Sequence, residues 1–355
     1  MIRLIEQELK RAVKAVWSPA VDAAGVTDRA LAPALADRGR WTLLTFHRIT
    51  ERPDEDPYRS GMSVRAARFR AQLEWLVPRF DLRTVGDALR ALRSGTVGPR
   101  PLLSITFDDG YLDNLRVAAP ILRAVGVPAS FYVTVGGLDT PPPFWWDRVT
   151  HAVRTGARRT PLSSAELELP GQTRSWSTAP MSRGALVESL LAELWRLPEH
   201  AVPKAVSAIE RALCADPAPG PTLPSRMDRD QVRALHAQGF EIGAHSVEHV
   251  NLCLRDPVGM RAEMLESRAE LERTLAAPVS GFAYPGGHLD EPVVECARAC
   301  GFDYALTTLT GTNRKDTDPM RLRRVGAPDA DLPDFKRAFA RALDRDERTP
   351  RHAAA

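Results

Sequence analysis

Short apolar segments that alternate with helix-like segments are the feature that most constrains how this chain folds. Between the apolar segments, large apolar residues recur at helical spacing, as they do at Phe69, Leu73 and Leu76. Alternating strands and helices predict a mostly parallel sheet with helices outside it, and the units are numerous enough for a (β/α) barrel. The candidate strands are WTLLTF (41–46), PLLSITF (101–107), ASFYVTV (129–135), FEIGA (240–244), SGFAY (280–284) and YALTT (304–308).

Residues 138–226 interrupt this alternation. The segment begins with LDTPPPFWWDRV and closes with DPAPGPTLPS, and helix-like sequence such as SRGALVESLLAELWRL lies between these two proline-rich joints. Proline-rich joints of this kind mark boundaries, so the pattern predicts a helical subdomain inserted into the barrel. We expect an N-terminal amphipathic helix and linker over residues 1–40, the barrel over 41–335 and a frayed C-terminal tail over 336–355.

Composition excludes several classes of protein. The 355 residues are 44% hydrophobic and 26% charged, which is an ordinary globular balance. The net charge of +3 comes without any block of like charge, which argues against a nucleic-acid partner. No run reaches the roughly 18 apolar residues that a membrane span needs.

The N-terminal segment is amphipathic and charged. Charges at Arg3, Glu6 and Lys10 interrupt any apolar core of a signal peptide, so a cytoplasmic location is expected. We expect the helix to dock on the main domain. Peripheral contact with a membrane surface through residues 1–17 is the alternative.

Polar side chains follow three of the candidate strands. Asp108 and Asp109 follow LLSITF, His245 follows FEIGA with His249 four residues later, and His47 follows WTLLTF. In a parallel barrel, the carboxyl ends of the strands meet at one mouth. These two acids and three imidazoles are therefore expected to lie together.

This set of side chains predicts a catalytic metal site. Adjacent carboxylates resist joint ionisation unless a positive charge stabilises both, and two histidines at i and i+4 commonly hold zinc. One aspartate and two histidines make a three-ligand site that leaves positions open for water, and the second aspartate is then free to act as a base. Taken singly, HxxxH and DDG are weak signals, because most such pairs are solvated histidines or ordinary turns.

Three stretches resemble the motifs of the polysaccharide deacetylases, the NodB-homology or carbohydrate esterase family 4. They are TFDDGY (106–111), HSVEH (245–249) and FAYPGG (282–287), and the similarity extends over about residues 41–330. The resemblance implies a distorted (β/α) barrel of seven strands. It also implies metal-dependent removal of N-acetyl groups, and sometimes O-acetyl groups, from glycans.

The resemblance also assigns roles. Asp108 would be the general base that takes a proton from the attacking water. Asp109, His245 and His249 would bind a divalent metal, zinc first, with cobalt, nickel and iron as alternatives. The backbone N–H of Gly286 would help to stabilise the oxyanion, as oriented N–H donors do in acyl transfer.

The sequence departs from the family pattern at two positions, and two catalytic roles are therefore assigned to other residues. The third motif has Ala283 where the family has an arginine that orients the catalytic aspartate, so Arg324 in LRRVGAP is the predicted replacement. No Leu-x-His motif follows near the C-terminus, where the family has its general acid. The sequence in this respect resembles a circularly permuted branch that acts on exopolysaccharides, and His47 in LTFHRI is the predicted acid. A surface salt bridge for Arg324 and a core role for His47 are the alternatives.

We therefore expect a deacetylase that acts on an N-acetylhexosamine-containing glycan or glycan intermediate, with a carbohydrate as its partner. An O-acetyl esterase, a hydrolase of non-sugar amides and a non-catalytic glycan-binding barrel are the alternatives. Trp145 and Trp146, in PFWWDRV, are expected either to stack against sugar rings or to anchor the insertion.

Overall fold

The computed structural model describes residues 25–51, 62–156, 162–163, 175–176, 183–213 and 225–348. The strands are β1 Trp41–Phe46, β2 Arg48–Thr50, β3 Ser63–Arg65, β4 Asp81–Leu82, β5 Leu102–Phe107, β6 Ala129–Val133, β7 Leu162–Ser163, β8 Ser175–Trp176, β9 Glu241–Ala244, β10 Gly281–Ala283, β11 Tyr304–Thr310 and β12 Leu322–Gly326. The α-helices are α1 Val26–Ala36, α2 Ala66–Leu76, α3 Val85–Ser94, α4 Ala119–Val125, α5 Trp145–Thr155, α6 Arg183–Leu194, α7 Val202–Leu213, α8 Arg229–His236, α9 Pro257–Leu275, α10 Glu291–Ala299 and α11 Leu332–Arg348.

Seven parallel strands close into a barrel. Their order is β1, β12, β11, β10, β9, β6 and β5, and β5 pairs with β1 to complete the ring. The short β4 lies beside the first residues of β5. The predicted α/β class and seven-stranded barrel are therefore confirmed.

The apolar strand segments have a simple physical cause. Every residue of β1, β5 and β6 is buried, because one face of each strand fills the barrel and the other packs under helices. On the helix side, the Phe107 ring stacks on Phe131 at a centroid distance of 4.6 Å. Phe69 of α2 meets Phe107 edge to face at 5.8 Å.

Six barrel strands coincide with the predicted apolar segments, whereas β12 does not. The sequence of β12 is LRRVG, and its two arginines conceal the apolar pattern of a buried strand. Helix α9 begins at Pro257, and Asp256 caps it, since Asp256 Oδ1 accepts a hydrogen bond from Gly259 N at 2.7 Å.

Three helices, α5, α6 and α7, lie within the segment predicted to be an insertion. They enclose an apolar cluster that is separate from the barrel core and includes Val149, Leu190 and Ile209. The Arg148 guanidinium on α5 pairs with both carboxylate oxygens of Glu210 on α7, at 2.6 and 2.9 Å. The boundaries of the insertion at 138 and 226 stay predictions.

The two ends of the chain differ in what the structure describes. The predicted amphipathic helix over residues 1–17 lies outside the described residues, and α1 occupies part of the predicted linker. Among the described residues, no helix has both the length and the apolarity to cross a bilayer.

The predicted C-terminal tail is wrong over residues 336–348. These residues belong to α11, whose Phe339 and Leu343 are buried against the barrel helices. The prediction failed because the charged sequence that follows Leu343 is typical of an exposed tail. The residues before it nevertheless form an apolar helix face, with Phe335, Phe339 and Leu343 at spacings of four residues.

We predict that Phe339→Ala lowers the free energy of unfolding by about 3–5 kcal/mol, the usual range for truncating a buried phenylalanine. Phe339 is 1% exposed and contacts the rings of Trp75, Phe80 and Phe335. Denaturant unfolding measures the effect, and Arg341→Ala on the exposed face of α11 is the control. Equal stability of the two variants would mean that α11 does not belong to the folded core.

Candidate metal centre and active site

The predicted site residues meet at one mouth of the barrel. His47 follows β1, Asp108 and Asp109 follow β5, His245 follows β9, and Gly286 follows β10. All five line one cavity of about 190 Å³, together with His249. Arg324, on β12, contacts this group of residues by a hydrogen bond to Asp108.

Asp109, His245 and His249 form a compact and buried group. The Nε2 atoms of His245 and His249 lie 3.4 and 3.2 Å from Asp109 Oδ1. One potential ligand atom from each residue lies within 4.8 Å of the other two. All three side chains are buried, so the group has the size and composition of a three-ligand metal site.

The hydrogen bonding of His245 tests whether a cation fits. His245 Nδ1 lies 2.7 Å from the carbonyl oxygen of Ala283, an acceptor, so Nδ1 carries a proton. In the neutral ring, Nε2 then carries a lone pair, and this lone pair is directed at the Asp109 carboxylate. Two acceptors at this distance need a proton or a cation between them, and a carbonyl partner on the far nitrogen is the usual arrangement of a metal-binding histidine.

A second observation agrees with a cation. Asp109 Oδ2 and His249 Nδ1 are buried and have no hydrogen-bond partner among the described residues. Buried carboxylate oxygens are otherwise nearly always paired. The donor set of one carboxylate oxygen and two imidazole nitrogens therefore fits a divalent ion such as Zn²⁺.

The pKa values of the group follow from burial and mutual charge. Burial alone would raise the pKa of Asp109, but hydrogen bonds with His245 and His249 outweigh burial and hold that pKa well below its ordinary value. Burial lowers the pKa of His249. For His245, burial is outweighed by Asp109 and Asp108, and its pKa rises. Asp109 therefore favours its ionised form, and the pKa values of the two imidazoles shift in opposite directions.

The backbone around the ligands is strained. Asp109 and His249 have φ angles of 74° and 54°, and Ser246 between the histidines has 61°. Such left-handed conformations of non-glycine residues cost of order 1–3 kcal/mol each and cluster at functional sites. Gly110, with φ of 85°, lies so close to β6 that an added Cβ would be 3.0 Å from Val133 Cγ1.

Asp108 and Arg324 form a buried two-point ion pair. Arg324 Nη1 lies 2.8 Å from Asp108 Oδ1, and Nη2 lies 2.7 Å from Oδ2. Nε of the same guanidinium donates to the carbonyl oxygen of Thr307 at 2.7 Å. Burial would raise the pKa of Asp108, but Arg324 and His245 outweigh burial and lower it. The guanidinium fixes the carboxylate in place, which is the contact that Ala283 cannot supply.

His47 and Gly286 border the cavity from opposite strands. The His47 side chain is half-buried, and its carbonyl oxygen accepts a hydrogen bond from Asn114 Nδ2 at 2.8 Å. The turn at Pro285 uses the N–H groups of Gly287 and His288 internally. The catalytic roles of His47 and Gly286 stay predictions.

Aromatic side chains from the predicted insertion cover the second histidine ligand. Trp146 lies 4.4 Å from the His249 ring by centroid, and Trp195 lies 5.6 Å from it. Trp146 Nε1 donates to Tyr111 Oη at 2.9 Å, and Tyr111 Oη donates to Asp147 at 3.0 Å. Trp146 therefore anchors α5 to the barrel, whereas the partly buried Trp145 lines a neighbouring cleft.

Sequence reasoning missed Trp195 and Glu263. Trp195 lines the cavity from the end of α6, and no motif distinguishes it from the apolar face of that helix. Glu263 contacts the loop between the histidine ligands from α9. Its place on a charged amphipathic helix is typical of a solvated residue, and no signal in the sequence identifies it.

Comparisons with known proteins agree with this geometry. Residues 197–305 match the family model described as polysaccharide deacetylase. Over 99 residues the chain is 23% identical to the putative polysaccharide deacetylase YxkH of Bacillus subtilis, a match that spans 28% of this chain and 36% of that protein.

Solved structures share the fold at low identity. The Streptococcus pyogenes deacetylase PplD in complex with acetate has a TM-score of 0.55 and 17% identity, covering 83% of this chain and 96% of that one. IcaB from Ammonifex degensii has a TM-score of 0.53 and 19% identity, covering 86% and 97%. At this identity the likenesses show a shared fold alone, and membership of the permuted branch stays a prediction. Residues 197–305 therefore match a polysaccharide deacetylase domain, and the seven-stranded barrel with the motif residues at its mouth agrees with that match.

Proposed function

We propose that the protein is a metal-dependent hydrolase that removes the acetyl group from an N-acetylhexosamine unit of a glycan or glycan intermediate and releases acetate. One observation carries the proposal. A buried carboxylate, Asp108, is clamped by Arg324 directly beside the Asp109, His245 and His249 centre, in a single cavity.

A divalent ion held by Asp109, His245 and His249 would polarise the acetyl carbonyl and lower the pKa of the attacking water towards about 7. Asp108 accepts the proton of that water. Because its pKa is lowered, Asp108 is ionised and ready to accept at neutral pH. The Arg324 clamp holds the carboxylate in one orientation, which is what a positioned base needs.

The remaining residues serve the carbonyl and the leaving group. The Gly286 N–H would donate to the oxyanion, since Gly286 lines the cavity in the turn at Pro285, where it has a φ of 61°. His47, on the opposite wall, would protonate the departing amine. Trp146 and Trp195 exclude water from one side. The fold shared with PplD, whose structure contains acetate, supports acetyl chemistry. A cytoplasmic location stays part of the proposal.

Acetate release from N-acetylglucosamine oligomers, with Zn²⁺ or Co²⁺ added, tests the reaction directly. Release from matched O-acetyl esters, measured in parallel, distinguishes an amidase from an esterase. Faster release from the esters would replace the N-deacetylase assignment. Absence of release across glycans, esters and simple amides would favour a glycan-binding barrel.

We predict that Asp108→Asn lowers kcat by at least about 100-fold, the lower end of what a general base contributes. Zn²⁺ binding should remain, because Asp108 lies outside the ligand set. Asp303→Asn, an exposed aspartate before β11, is the control. Activity near the wild-type value in Asp108→Asn would remove Asp108 as the base.

We predict that His245→Ala or His249→Ala abolishes stoichiometric metal binding, since each removes one of three protein ligands. Elemental analysis of the purified variants measures bound metal. His200→Ala, an exposed histidine in the predicted insertion, should bind metal like the wild type. Full occupancy in either ligand variant would exclude that histidine from the metal centre.

We predict that Arg324→Gln moves the acid limb of the pH profile of kcat/KM to higher pH. Arg324 lowers the pKa of Asp108, so its removal raises that pKa, and the base then becomes protonated at a higher pH. Arg323→Gln, whose side chain alternates to the other face of β12, should leave the limb in place. An unmoved acid limb in Arg324→Gln would show that Asp108 is not the titrating base.

A further inference from the structure

The loop of residues 245–249, which carries both histidine ligands, depends on neighbouring elements for its shape. Ser246 and His249 adopt left-handed φ angles that persist only where the surrounding structure determines them. Ser246 Oγ accepts a hydrogen bond from His249 N at 2.9 Å, which holds one end of the loop. Six other backbone groups of residues 245–248 form hydrogen bonds with residues outside the loop.

The carbonyl groups of the loop are bound by the segment that follows β6. The carbonyl oxygens of His245, Ser246 and Val247 accept hydrogen bonds from residues 134–136, at distances from 2.7 to 3.2 Å. This side of the loop is therefore tied to the neighbouring barrel strand.

The amide groups of the loop are bound by one carboxylate. Glu263 Oε2 accepts hydrogen bonds from the backbone N–H groups of Val247 at 2.8 Å and of Glu248 at 3.1 Å. Glu263 lies on α9 and is 4% exposed. Its other oxygen, Oε1, accepts a hydrogen bond from Arg255 Nη2 at 3.0 Å, so both oxygens of the buried carboxylate have hydrogen-bond donors.

We propose that Glu263 is a positioning residue for the metal centre. By binding the two N–H groups between His245 and His249, it holds the two imidazoles at the separation that a shared metal ion requires. It acts only through the loop, since its oxygens bind the loop backbone and Arg255. The inference rests on the proposed function for the presence of the metal ion.

Arg255 extends this contact towards the predicted insertion. Its Nη1 pairs with Glu199, in the 3₁₀ turn that precedes α7, while Nη2 pairs with Glu263. Glu199 and Arg255 also line the cleft beside His249. The shape of the metal-binding loop is thus linked to the helices that cover it.

The test measures metal affinity and turnover in Glu263→Ala and Glu263→Gln. Zn²⁺ dissociation constants come from competition with a chromogenic chelator, on protein whose circular dichroism and melting curve show that it is folded. We expect Glu263→Ala to weaken Zn²⁺ binding by about 10- to 100-fold, as loss of an outer partner of a ligand does. The glutamine keeps one acceptor oxygen, so Glu263→Gln should lie between alanine and wild type, with kcat lowered and KM little changed.

Glu266→Ala is the matched control, because Glu266 is an exposed glutamate on the same helix. Wild-type Zn²⁺ affinity and kcat in folded Glu263→Ala would overturn the inference. If that variant does not fold, wild-type affinity in Glu263→Gln overturns it instead. Weakened Zn²⁺ binding in a chain that hydrolyses no acetyl substrate would support the role of Glu263 and contradict the proposed reaction, so the two failures are distinct.

Discussion

The contact between the Asp109 carboxylate and two buried imidazoles is the interaction on which the rest of the site depends. His245 commits one nitrogen to the Ala283 carbonyl and directs the other at the carboxylate, while burial lowers the pKa of His249. The group therefore brings a carboxylate and two imidazoles together, and two of its buried polar atoms, Asp109 Oδ2 and His249 Nδ1, have no hydrogen-bond partner among the described residues. A divalent cation would satisfy these atoms together, and the residues predicted to be catalytic lie around the place where it would bind.

The strands of the barrel hold the ligands in fixed positions, whereas the loops that carry the ligands have strained backbone conformations. The strands bring the ligands to one mouth, yet Asp109 and His249 reach their positions only through left-handed backbone conformations. Hydrogen bonds from both sides maintain those conformations. Glu263 and the segment after β6 bind the backbone of the histidine loop, and Arg324 binds the Asp108 carboxylate, so the loop and this carboxylate are each held by residues outside them.

Much of the fold and of the site could be predicted from sequence because the signals are local. Buried parallel strands are continuous apolar runs, and the chemistry follows them at their carboxyl ends, as Asp108 after β5 and His245 after β9 illustrate. The elements that were not predicted, β12 and α11, are recognisable only from their contacts in the folded structure. β12 carries two arginines, of which Arg324 is buried only because Asp108 and the Thr307 carbonyl meet it. The apolar face of α11 is recognisable only beside the helices that bury it.

The sequence by itself determined the class of fold, the order of the motif residues and the chemistry expected of them, because strand periodicity and the spacing of adjacent ligands are properties of short segments. Tertiary structure supplied the distances at which Asp109 faces the imidazoles and Arg324 clamps Asp108, and it alone brought Trp195 and Glu263 into the site. These residues lie far apart in sequence, and closure of the barrel with the packing of its helices is what brings their charges within hydrogen-bonding distance.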